Sequence, residues 1–211
     1  MPTIFRLLLM IVSCREAIAL PKITVYVYDY SSERTAAIAD ALQAAGAILR
    51  QAGIDVRWQT CSVGRAAGCD VDPNDATQIV LSVLPEQMAA KIATGSKQFG
   101  LSIMNGEDGL PCHAYVFRDR ILNFAEVHSV SMTLLLGNIV AHEIGHLLLG
   151  TNSHAPAGIM RSNWRSAEVK QALMSTLGFT RQQAKTMQAN VSRRLEAAYS
   201  AASNSPPPPS K

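Results

Sequence analysis

Ala141-His142-Glu143-Ile144-Gly145-His146-Leu147-Leu148-Leu149-Gly150 is the stretch around which the rest of the chain is read. At 3.6 residues per turn, His142 and His146 lie one turn apart on one helix face, so both imidazoles can reach a single ion. Glu143 stands about a quarter-turn around, where a carboxylate can take a proton from metal-activated water. The apolar run Met132-Thr133-Leu134-Leu135-Leu136-Gly137-Asn138-Ile139-Val140 before it, with Ile144, Leu147, Leu148 and Leu149, supplies the surface of a buried helix. Two buried imidazoles beside a buried carboxylate need a partner to offset their desolvation, and Zn2+ is the natural one. The alternative is a core helix whose histidines are satisfied by backbone.

A catalytic zinc takes three protein ligands and leaves one position open. His154, eight residues after His146 and beyond a glycine that lets the chain turn back, is the first candidate for the third. With Gly158-Ile159-Met160 further on, the segment resembles the metzincin branch of zinc peptidases, which has His-Glu-x-x-His, a glycine, a third histidine and a later Met-turn. That family spaces the glycine and third histidine three and six residues after the second histidine. Here Gly150 and His154 follow at four and eight.

The resemblance implies that His142, His146 and His154 bind zinc, that Glu143 is the general base, and that Met160 forms an apolar floor beneath the metal. A rival third ligand is Glu168, by similarity to zincins of the thermolysin type, which draw a glutamate from a following helix. Its other reading is a solvated first-turn acid in Ser166-Ala167-Glu168.

Outward from this centre, the 211 residues are 48% hydrophobic and 17% charged, the profile of a folded globular chain. A formal charge of +3, with scattered Lys and Arg, excludes a dedicated nucleic-acid binder. Arg193 and Arg194 read as solvated, dipole-compensating residues of a last helix. Residues 1–19 read as a secretion signal, with Leu7 to Val12 as its apolar run and Ala17-Ile18-Ala19 as its cleavage pattern. The run is too short to span a membrane, which takes about 20 apolar residues. A competing reading takes Ile11-Val12-Ser13-Cys14 as a lipobox, with a signal to residue 13 and a lipid anchor on Cys14. Secreted or periplasmic residence is the expectation.

An oxidising destination makes Cys61 and Cys69 a candidate disulfide and leaves Cys112 over. Cys112 beside His113 is a poor nucleophile-base pair, because neighbours on a strand point to opposite faces. Asp70 to Asp75 lacks the glycine and closing glutamate of a calcium loop and reads as a surface turn. His113 and His128 fall outside the motif, and only His128 is kept as a candidate support for the metal site.

In chain order, Lys22 to Asp29, Ile54 to Gln59 and Thr77 to Leu84 read as strands, with a helix from Arg34 to Ala52 between the first two. That strand-helix-strand unit favours a parallel pair. Phe99 to Met104 and His113 to Asp119 are two further strands. The metal helix runs from about Val130 to Leu149, followed by helices over Trp164 to Leu177 and from Thr180 to about Tyr199. Residues 201–211 read as a Pro-rich tail too polar to fold.

The fold expected is α/β (α+β) and zincin-like, a twisted mixed sheet of about five strands over an active-site helix with C-terminal helices, as one domain over 20–200. By the resemblance, Phe99 to Met104 is the sheet edge bordering the cleft, able to pair with an extended peptide. The function expected is a secreted zinc peptidase acting as a monomer on peptide or protein. The alternatives are a zinc-binding protein without turnover and an amidase acting on cell-wall peptide.

Overall fold

The computed structural model describes residues 19–31, 36–64, 69–72, 75–93, 95, 98–105, 110–150 and 153–204. The signal or lipobox reading, Cys14, and most of the Pro-rich tail lie outside them, as does the side chain of Cys112.

Five strands form one mixed sheet: β1 (Lys22–Asp29), β2 (Asp55–Cys61), β3 (Gln78–Leu84), β4 (Gly100–Asn105) and β5 (Leu110–Phe117), in the order β2-β1-β3-β5-β4. β1 pairs in parallel with β2 and β3, and β3 with β5, whereas β4 lies antiparallel on β5 at the edge. The crossover from β1 to β2 runs through α1 (Ala36–Gln51), the parallel unit its sequence pattern predicts.

Alternation decides the faces. Ile23, Val25 and Val27 of β1, Ile79, Leu81 and Val83 of β3, and Ala114 and Val116 of β5 are almost wholly buried. They share one core with α1 and the central helix α4 (Met132–Leu149). Apolar residues lie all around α4, from Leu135 and Ile139 to Ile144 and Leu148, because it packs against α1, β4, β5 and three further helices. By length and composition α4 could cross a membrane, yet 67% of it is buried inside the fold, so it reads as a core helix.

Two short helices escape sequence reading. α2 (Glu86–Ile92) follows Pro85, and α3 (Arg118–Val127) takes residues 118 and 119, which the strand pattern had assigned to β5. Arg120 on α3 grips both carboxylate oxygens of Glu86 and the carbonyls of Gly95 and Gln98, fixing the approach to β4. Ser131 caps α4, accepting from the Leu134 N–H, and Gly150 with φ of 94° ends it.

Behind α4 lie α5 (Ser166–Leu173) and α6 (Arg181–Asn204). Arg194 is 8% exposed and donates to the Leu147 carbonyl at 2.7 Å, while Asn190 donates to that of Leu148. This corrects the solvated reading of Arg194, since the last turn of a buried helix leaves carbonyls that need donors. Cys61, the last residue of β2, forms a disulfide with Cys69.

Candidate metal centre

The motif helix delivers His142 and His146 from adjacent turns, and the chain returns after Gly150 to bring His154 to them. The three imidazoles offer ring nitrogens that all lie within 4.8 Å of one another. Nε2 of His142 and Nε2 of His146 stand 3.0 Å apart. Two imidazoles bound tetrahedrally at ordinary zinc distances place their nitrogens roughly 3.3 Å apart, so this donor set fits the ion.

The far nitrogens are held as well. His142 Nδ1 donates to the Ile159 carbonyl at 2.6 Å, and Trp164 Nε1 donates to the same oxygen at 3.1 Å. His146 Nδ1 meets Ser153 Oγ at 2.7 Å. Anchoring Nδ1 turns Nε2 toward the centre and sets the tautomer with a free lone pair there. Burial, assisted by the neighbouring imidazoles, pushes His142 down to about 4 and His146 to about 3. Both are therefore neutral at physiological pH, the form that ligates a cation.

Glu143 is 6% exposed and packs against the sheet edge. Burial pushes its carboxyl up to about 7, and a hydrogen bond from Ser102 opposes part of that rise. Ser102 Oγ lies 2.6 Å from Glu143 Oε2 and 2.9 Å from its backbone carbonyl. The histidines and Glu143 open into a cleft of about 990 Å3, bordered among others by Gly100, Ser102, Phe124, Ile139, Asn163 and Trp164.

Met160 is fully buried, and its sulfur lies under α4 at Gly145. Glu168 sits elsewhere in the fold's logic. Its carboxylate accepts from the Arg165 N–H at 2.8 Å and from Arg161 at 3.2 Å. The Arg165 amide is the main reason its carboxyl is held below the usual range. It is a first-turn acid as its sequence position predicts, but 6% exposed instead of solvated, and it does not join the histidine cluster, the one such group among the described residues.

His113 is also remote, on β5, with Nε2 3.0 Å from Ser82 Oγ and its ring stacked on Tyr115. His128 lines the cleft and leans on Phe124, with ring centroids 4.2 Å apart. Ser102 and Ser153 escaped sequence reading. Ser102 is separated from Glu143 by 41 residues and carries no motif of its own, whereas Ser153, next to His154, could have been noticed.

No protein-family model matches the chain, and no curated protein matches it significantly. Among solved structures, archaemetzincin from Methanopyrus kandleri matches 85% of this chain and 99% of its own, at 14% identity and a TM-score of 0.48. The solution structure of TM1509 from Thermotoga maritima matches 90% of this chain and all of its own, at 9% identity and a TM-score of 0.34.

Proposed function

We propose that this chain is a zinc-dependent peptidase that hydrolyses peptide bonds with Glu143 as general base. The observation that carries the reading is the convergence of His142, His146 and His154 beside a buried carboxylate, in a cleft bordered by a sheet edge. When bound, zinc supplies Lewis acidity that polarises the amide carbonyl and lowers the pKa of water.

The chain's own residues do the rest. His142, His146 and His154 hold the ion as neutral imidazoles, and the reading takes His154 over Glu168, whose carboxylate is engaged at the start of α5. Met160 floors the site. β4 aligns an extended peptide by adding it as a strand, which presents the scissile bond along the cleft. Glu143 accepts a proton as water adds to the carbonyl carbon and hands it to the amine nitrogen as the C–N bond breaks.

Secretion belongs to the same proposal. The Cys61–Cys69 disulfide supports an oxidising compartment, and residues 1–19 would be the signal that leads there. Cell fractionation with amino-terminal sequencing of the mature protein separates a cut after Ala19 from a lipidated Cys14.

The test of activity is cleavage of a peptide library by zinc-loaded protein, abolished by chelator and restored by zinc. Glu143→Gln should keep one equivalent of zinc while turnover falls by orders of magnitude. Normal turnover in that variant would overturn the assignment of the base.

A further inference from the structure

We infer that Ser102 is a positioning residue that holds the Glu143 carboxyl in place and ties it to the strand on which the peptide lies. The inference rests on the peptidase reading above. The Phe117 N–H donates to the Phe99 carbonyl, so Phe99 turns its backbone groups toward β5. Backbone direction alternates along an antiparallel strand, so Leu101 and Ile103 face β5 as well, and Gly100 and Ser102 present theirs to the free edge.

The same two residues face Glu143. A Cβ built on Gly100 would come 2.5 Å from Glu143 Oε1, so a larger residue there would push the carboxylate from its present position. Two positions on, Ser102 Oγ reaches Oε2 at 2.6 Å. The base therefore rests in a cradle made by one glycine and one hydroxyl of the edge strand.

Ser102 donates its proton to the Glu143 carboxylate, and the same Oγ stands 2.9 Å from the Glu143 backbone carbonyl, so one hydroxyl lies against both the side chain and the main chain of the base and fixes where its carboxyl points. An alanine would leave a buried carboxyl without this partner.

The experiment compares wild type, Ser102→Ala, Ser102→Thr and Glu143→Gln as zinc-loaded proteins on one cleaved peptide. Losing a hydrogen bond to a charged group should lower kcat in Ser102→Ala roughly 10- to 100-fold, with KM within about threefold, because the β4 backbone is unchanged. Zinc content should stay at the wild-type value, while the melting temperature falls by only a few degrees, far less than the drop in turnover would require if it came from unfolding. Ser102→Thr, which restores a hydroxyl, should recover most of the loss.

A readout independent of turnover is the Cδ resonance of Glu143 in 13C-glutamate-labelled, metal-free protein, assigned by its absence in Glu143→Gln. It should move in Ser102→Ala and return in Ser102→Thr. An unchanged kcat in Ser102→Ala, an unmoved resonance, or equal losses of kcat and melting temperature in both serine variants would each overturn the inference. A wild-type protein with no chelator-sensitive hydrolysis would overturn the peptidase reading itself, and the resonance would still decide, separately, whether Ser102 holds Glu143.

Discussion

Gly145 sits directly over Met160: a Cβ built at this glycine would lie 2.6 Å from the methionine sulfur and 2.7 Å from Cε1 of Phe179. The turn of α4 between His142 and His146 thus rests on a methionine floor with no room for a methyl group. Alanine is the better helix former by about 1 kcal/mol, so propensity alone would make Gly145→Ala stabilising. Overpacking should win instead. Overpacking of about 1–3 kcal/mol less that gain leaves a net loss of up to about 2 kcal/mol in urea unfolding, with zinc held roughly 10-fold less tightly in chelator competition. A more stable variant with unchanged zinc affinity would show that Met160 gives way freely.

His154 is exposed, unlike its two partners on the helix, and reaches the cluster from the segment beyond Gly150. His154→Ala should leave the melting temperature of the metal-free protein unchanged and reduce bound zinc well below one equivalent after dialysis. A full, tightly held equivalent would return the third position to Glu168 or another donor.

His113 makes a pH prediction remote from the metal. Burial pushes it from 6.5 down to about 4, and Tyr30 and Lys91 line the same hollow. As pH falls below 6.5 the unfolded chain takes up a proton that the folded chain refuses until about 4. This contribution to stability is present above 6.5 and is lost on acidification through that window. In urea titrations from pH 7 to pH 4, His113→Gln should show a shallower fall than wild type. Parallel curves would mean that His113 takes up its proton equally readily in the folded and unfolded chain.

Cys61 and Cys69 close a loop with a sequence separation of 8. Loop-closure entropy for so short a ring amounts to about 2.5 kcal/mol. The double variant Cys61→Ala, Cys69→Ala should lose about that much stability and keep its zinc, because the disulfide sits at the end of β2, at the sheet edge opposite β4. Loss of zinc in that variant would reveal a coupling across the whole sheet.

Strands and the long helices were legible in the sequence because their signals are local. β1 and β3 are continuous runs of β-branched and apolar residues, and α4 combines a capping serine, an apolar body and a terminal glycine. His142, Glu143, His146 and His154 were legible for the same reason, lying within 13 consecutive residues. α2 and α3 were not, being 7 and 10 residues long and held by long-range contacts such as Arg120 with Glu86, 34 residues apart. Arg194 misled because a surface-helix cation usually faces water, whereas α6 lies where the Leu147 and Ala76 carbonyls both meet it.

That placement of α6 also sets a clock. Asn190 and Arg194 reach back 42 and 47 residues to the last carbonyls of α4, and Met187 and Val191 join the same core. In a chain made from its amino end, the motif helix is synthesised before these residues exist. Until they dock, its final turn, the one that carries His146, lacks its donors and frays. Metal capture should therefore be a late event in biosynthesis, timed by the last helix and not by translation of the histidines.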